Sequence, residues 1–223
     1  MIALPPAQGY ALWAPTYAAE TVVSALEATT VSSFGVPLAG RRVLDAGCGV
    51  GRRLRDARAS DAAIAVGVDL TPGMLAQALG ERLVAAADVR ALPIADRAFD
   101  VVWCRLVLGH LAELERAYAE LARVCAAGGT VLVTDFHPDA VAAGHRRTFR
   151  DAHGAEHELE HHVHRAEDHR AAARRAGLTF RGQRDRAVGA AIRDHDARAG
   201  RLDMYERQRG LPLVLALAFG RAA

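Results

Sequence analysis

Between Arg41 and Pro138 short apolar runs alternate with stretches of helical periodicity, and this alternation constrains the fold more than any other feature of the chain. "RRVLDAG" reads as a buried strand, followed by a glycine turn and a helix near residues 51 to 59. "AIAVGVDL" is a second strand, after which Thr71 offers a helix N-cap and Pro72 takes the first helical position of "PGMLAQALGERL". "LVAAAD" and "FDVVWCRLVL" supply a third and a fourth strand. From Leu111 to Cys125 the apolar positions Leu114, Ala117, Tyr118, Leu121 and Val124 fall at helical spacing. Gly128-Gly129 then turns the chain into a fifth strand, "TVLVTDF". Repeated strand-helix-strand units predict an α/β fold with a parallel sheet covered on both faces. Ligands in such sheets bind beyond the carboxyl ends of the strands.

The flanks have different patterns. "YALWAPTYAAETVVSALEATTV" reads as helical segments broken near Pro15, so residues 1–39 are expected to form a helical cap ahead of a 40–223 domain. After the fifth strand, Asp151-Ala152-His153-Gly154 is turn chemistry between two extended runs, predicting a hairpin. A helix near 166 to 176, ended by Gly177, precedes two strand-like runs, "LTFRGQRDRAV" and "LPLVLALAF". At 223 residues the chain suits one α/β domain. No apolar run reaches the roughly 18 to 20 residues of a membrane span. The start lacks a charged segment followed by a long apolar one, so no secretory signal is expected. Cys48, Cys104 and Cys125 are odd in number and widely spaced, which predicts free thiols and a cytoplasmic location. All 28 basic residues are arginine, as in a GC-rich, bacterial genome. With a net charge of +2 and interspersed signs, no nucleic-acid partner is expected.

"VLDAGCGVGR", residues 43 to 52, is the most informative stretch. Gly47, Gly49 and Gly51 let the backbone turn sharply after the strand and let a ligand approach without meeting a Cβ. Asp69 ends the second strand about twenty residues on, where a carboxylate can accept both ribose hydroxyls. Asp88, after the third strand, is placed to take the exocyclic amine of an adenine. A nicotinamide dinucleotide is the competing ligand. Its fingerprint wants a glycine where this chain has Arg52, whose bulk would obstruct packing around a pyrophosphate.

Taken with "VGVDLTPGMLAQA", "ADVRALPIADRAFDVVWCRLVLGHL" and "LARVCAAGGTVLVTDF", the glycine turn resembles the class I S-adenosylmethionine-dependent methyltransferases, most of all the ubiquinone/menaquinone-biosynthesis type of the small-molecule branch. The resemblance covers roughly residues 40 to 136. It implies a Rossmann-like fold with a seven-stranded, mostly parallel sheet, an antiparallel last strand and a small lid over the acceptor at 138–165. It implies S-adenosylmethionine as cofactor and a small molecule as methyl acceptor. Asp45, Gly47 and Gly49 would surround the methionyl part, Asp69 would bind the ribose, and Leu70 and Met74 would flank the adenine. Asp88 and Val89 would recognise the adenine edge, and Cys104 would lie beneath the sulfonium. "GYALWAPTY" parallels an N-terminal segment that folds over the cofactor in this family, bringing in Tyr10, Trp13 and Tyr17. "CRLV" stands where base-amino methyltransferases carry an N-P-P-Y-like motif, which disfavours such substrates. A protein that binds the cofactor without methyl transfer stays open as an alternative.

Two histidines follow strands at the expected site edge. His137, in "TDFHP", is the first choice as base or substrate-orienting residue, and His110, in "LVLGHL", is the second, with a structural role as the competing reading. The lid carries "HELEHHVH", residues 157 to 164, whose first five letters spell the zinc-peptidase pattern H-E-x-x-H. Its flanks predict a strand, on which residues i and i+4 lie about 13 Å apart, too far for one ion. No metal is therefore expected. Strand alternation would set His157 with His161 on one face, or His162 with His164 on the other, toward the acceptor. Monomer and homodimer are both compatible with the sequence.

Overall fold

The computed structural model describes residues 2–17, 21–78, 80, 83–190, 192–193, 197 and 202–223, with Met204 described in its backbone alone. The apolar runs of the sequence become strands β1 (Arg42–Ala46), β2 (Ile64–Asp69), β3 (Val84–Ala86), β4 (Phe99–Arg105) and β5 (Cys125–Phe136). Between them stand helices α3 (Arg52–Ala59), α4 (Pro72–Ala76) and α5 (Glu115–Val124), preceded by α1 (Pro6–Trp13) and α2 (Val22–Ser32). The C-terminal part adds α6 (Pro138–Ala142), the hairpin strands β6 (Thr148–Arg150) and β7 (Glu156–Glu158), α7 (Ala166–Arg175), β8 (Leu178–Ala187), α8 (Leu202–Gln208) and β9 (Pro212–Arg221).

The seven strands of the main sheet run in the order β3-β2-β1-β4-β5-β9-β8. β1 to β5 pair in parallel, and β9, the last strand of the chain, is antiparallel to both its neighbours. The order reverses between β1 and β4, so the switch point lies at their carboxyl ends. One face of the sheet buries Leu44, Val102, Val131 and Phe219 against Tyr118 and Leu121 of α5. The other packs Val43, Val101, Trp103 and Leu132 against Leu54 and Ala57 of α3 and Val31 of α2. At roughly 1.5–3 kcal/mol per buried aliphatic side chain, these two layers supply most of the driving force.

Several boundaries differ from the expectations. The helix expected from Leu111 starts only at Glu115, because a 3-10 turn at Leu108–His110 and an extended Leu111 intervene. β5 starts at Cys125, before Gly128-Gly129, because a register shift between Phe99 and Val101 absorbs the irregularity within the pair. Thr71 occupies the N-cap position of α4 without a side-chain capping bond, and its backbone amide donates to Asp69 Oδ1. Leu79, Glu81 and Arg82 of the longer helix expected there lie outside the described residues. The hairpin exists, but β7 ends at Glu158, so the expected alternation of His157 with His161, or of His162 with His164, has no strand to act on. No described helix is long and apolar enough to cross a membrane.

Candidate active site

The turn after β1 is built on backbone that only glycine adopts easily. Gly47, Gly49 and Gly51 have φ of +88°, +54° and +74°. A Cβ on Gly47 would stand 2.2 Å from a methyl of Val107. Asp69, at the end of β2, braces this turn: one carboxylate oxygen accepts from the Gly49 amide and the other from the Thr71 amide, both at 2.8 Å. Burial raises the Asp69 pKa, and these amide donors oppose the shift. A carboxylate offers about four lone-pair sites, so acceptor capacity is left over.

Beyond the carboxyl ends of β1, β2 and β4 opens a cavity of about 1520 Å3. That exceeds the roughly 300–1,000 Å3 of a pocket for one small ligand, so the cavity has room for two. Gly47, Gly49, Asp69 and Leu70 line it, as do Met74, Asp88 and Val89. Asp88 is held by Arg90 in a two-pronged ion pair, closest at 2.6 Å, which lowers its pKa. Tyr10 and Tyr17 line the cavity from above together with Trp13. Their rings pack on one another at 4.8–6.0 Å between centroids, and Tyr10 and Tyr17 with Ala14 cover Met74 and Val50.

Three expected residues lie elsewhere. Cys104 is fully buried among Leu44, Leu121 and Val133 and does not reach the cavity, because it points into the sheet's core layer. The chain emerges into the site one residue later, at Arg105, Leu106 and Val107. His137 is likewise off the cavity: its Nδ1 caps α6 by accepting from the Asp139 amide, and its Nε2 faces Asp185 at 3.9 Å. Asp45 is completely buried behind the glycine turn, with neither carboxylate oxygen hydrogen-bonded and Arg53 at 4.0 Å. Burial pushes its pKa up to about 6.

His110 does line the cavity, but its ring is fully engaged. Nδ1 lies 3.1 Å from the carbonyl of Glu160, which can only accept, so Nδ1 carries the proton. Nε2 then accepts, meeting the Tyr10 hydroxyl at 2.9 Å and the Arg147 guanidinium. Burial and the Arg147 charge push its pKa down to about 3. An imidazole in that state is a poor base and a good clamp.

None of the four histidines of "HELEHHVH" lines the cavity. His157 pairs with Asp151 at 2.8 Å and stacks on Phe149. His161 faces the buried Asp135 at 3.6 Å, and His164 lies 2.7 Å from the Leu111 carbonyl. The backbone amide of His162 donates to the Gly109 carbonyl. The segment fastens the chain after β7 to Gly109, Leu111 and Asp135 at the end of the sheet. No group of described histidine, cysteine, aspartate and glutamate side chains is arranged to hold a metal ion.

The sequence reading missed the polar floor of the cavity. Glu27 of α2, only 1% exposed, accepts two bonds from Arg105, at 2.6 and 2.8 Å, and one from Thr134 at 2.9 Å. Arg105 and Arg53, 3.6 Å from Glu27, hold the Glu27 carboxyl below its usual range despite burial. It also missed His145 on the lid, which lines the cavity and tilts its ring over Phe136. Burial and the neighbouring Arg147 lower its pKa, so it stands neutral near pH 7. Neither has a spacing signal: Glu27 reads as one polar position of a helix, and His145 as one letter of a loop.

The methyltransferase domain family matches this chain over residues 44–133. A malonyl-[acyl-carrier protein] O-methyltransferase from Erwinia billingiae is 31% identical over 138 residues, covering 60% of this chain and 55% of the relative. A demethylmenaquinone methyltransferase from Thermus thermophilus is 38% identical over 109 residues, covering 45% and 49%. The chain thus spans about half the length of the curated relatives it matches. An S-adenosylmethionine dependent methyltransferase structure from Mesorhizobium loti superposes with a TM-score of 0.69 at 22% identity, over 88% of this chain and 98% of the other. With the 3-2-1-4-5 sheet, the antiparallel last strand and the glycine turn braced by Asp69, the chain has the fold of the class I S-adenosylmethionine-dependent methyltransferases and is similar to that family in sequence over residues 44–133.

Proposed function

We propose that the protein transfers a methyl group from S-adenosylmethionine to a nucleophilic atom of a small molecule. The observation that carries this reading is the joint geometry of Gly47 and Asp69: a cradle that a Cβ would fill, held open by a carboxylate at the edge of a cavity large enough for two ligands. The residues fit the cofactor. Gly47 and Gly49 leave room for the methionyl part, Asp69 is suited to the ribose hydroxyls, and Asp88 with Val89 to the adenine edge. Leu70 and Met74 offer apolar surface to the base.

When bound, the cofactor supplies an electrophilic methyl on a sulfonium. The protein's part is alignment and exclusion of water. Tyr10, Trp13 and Tyr17 roof the cofactor side, and Tyr10 is fixed by its bond to His110. The lid residues from His145 to Thr148 wall the acceptor side. Where the acceptor must lose a proton, His145 takes it. It is the histidine on that wall whose ring has no hydrogen-bond partner among the described residues.

The test is calorimetric titration with S-adenosylhomocysteine. Wild type should bind it, and Asp69→Ala should lose binding; equal affinity in the two would sink the assignment. Once an acceptor is found, His145→Gln should lower turnover about a hundredfold while leaving S-adenosylhomocysteine affinity unchanged. Unaltered turnover removes His145 from the mechanism.

A further inference from the structure

Arg147 presents a buried cation that forms no ion pair with a carboxylate of the described residues. Only 8% of it is exposed, it lines the cavity, and it acts through space on the buried Asp135, whose carboxyl it helps to hold down. Burying a guanidinium is costly unless it is paired, so such a group in a cavity wall points to a charge that arrives with a ligand. Its position is fixed from three sides: it donates to His110 Nε2 and to the Leu106 carbonyl, at 3.2 Å for the latter, and it lies 4.6 Å over the Phe136 ring. Those contacts use two of its five N–H donors, leaving three in a planar fork.

We propose that Arg147 anchors a carboxylate carried by the methyl acceptor. This rests on the methyltransferase reading above and names the substrate class for it. A planar monoanion matches both the free fork and the single charge, whereas a phosphate dianion would leave a buried negative surplus. The surroundings agree in sign. Arg146, Arg207 and Arg209 line the same cavity. Arg146 is matched by Glu158 and Arg207 by Asp203, and Arg209 is exposed to solvent, so the buried unmatched charge in the cavity wall is that of Arg147 among the described residues. That field draws anions to the mouth.

The probes are benzoate, benzamide and phenyl phosphate, titrated into the whole protein by ligand-observed NMR with and without saturating S-adenosylhomocysteine. Wild type should prefer benzoate over each of the other two by about tenfold, the worth of one charge-assisted pair. Arg147→Gln should abolish that preference and change S-adenosylhomocysteine affinity less than about twofold; Arg147→Lys, which keeps the charge and loses the fork, should restore part of it. Equal binding of benzoate and benzamide by wild type, a preference for phenyl phosphate, or a preference that persists in Arg147→Gln each overturns the proposal. The wild-type comparison decides the matter even where a variant fails to fold. A wild type that shows the benzoate preference and does not bind S-adenosylhomocysteine would instead remove the methyltransferase reading and leave the anion site standing.

Discussion

Gly47 carries two constraints at one position, a φ of +88° and a Val107 methyl 2.2 Å from where a Cβ would stand. Gly47→Ala therefore meets backbone strain of about 1–3 kcal/mol together with a steric clash. The expected outcome is a lower denaturation midpoint and at least about a tenfold weaker titration with S-adenosylhomocysteine. Adding Val107→Ala should recover the steric part and leave the backbone part; full recovery would show that φ is not the constraint. At this scale the sequence was legible wherever a motif fixes both residue type and spacing. Gly47, Gly49, Asp69 and Asp88 meet at the cavity as their spacing predicts. His137 and Cys104 do not, because position at a strand end does not say which way the next side chain turns. Arg147 and Glu27 had no local signature at all, since each acquires its meaning from partners 41 and 78 residues away.

The N-terminal segment and the β6–β7 hairpin are joined by backbone pairing. Leu4 and Leu159 form a parallel bridge, with the Leu4 amide donating to the Glu158 carbonyl at 2.8 Å and the Glu160 amide to the Leu4 carbonyl at 2.9 Å. Trp13 stacks on Phe149 at 5.0 Å, and the Thr16 hydroxyl donates to the Arg150 carbonyl. This pairing was invisible in the sequence, where the two pieces lie about 150 residues apart and neither reads as a long strand. The hairpin's turn was legible from Asp151 and Gly154; its partner was not. The joint is held to the sheet at Gly109, where a Cβ would come within 2.5 Å of His161 Nε2 and 2.6 Å of Asp135 Oδ1. Gly109 does not have a positive φ, so Gly109→Ala tests space alone. It should displace His161 and release the hairpin and cap together. Hydrogen exchange should quicken over residues 157–164 and 2–13 while the amides of β1 and β4 keep their protection. Release of the hairpin without the cap would show that the two are separate elements.

For the whole molecule, stability against pH follows from groups held away from their unfolded ionisation. His169, fully buried with Nδ1 3.0 Å from the Tyr118 hydroxyl, is pushed down to about 4 by burial, and His110 to about 3. An unfolded histidine titrates near 6.5, so below that pH the unfolded chain binds two protons that the folded chain refuses. Their stabilising contribution is complete above about 6.5 and drains as the pH falls toward 4 and 3. Asp45 works in the opposite direction. Its folded pKa of about 6 lies above the unfolded value of 3.8, so between those limits the folded chain holds a proton that the unfolded chain releases. For His169, His110 and Asp45 the balance from pH 6.5 to 6 is two protons taken up on unfolding, and from 6 to 4 it is one, each worth about 1.4 kcal/mol per pH unit; His145, lowered by burial, adds to this uptake, and Asp69, raised by burial, opposes it. Melting temperature should therefore fall from pH 7 to pH 5, steeply at first and then less so. Asp45→Asn removes the opposing proton and should steepen the fall below pH 6. His169→Gln should flatten it by one proton across the range from 6.5 to 4. A wild-type melting temperature that stays level between pH 7 and pH 5, measured by calorimetry in matched ionic strength, would show that these two histidines are solvated in the native state.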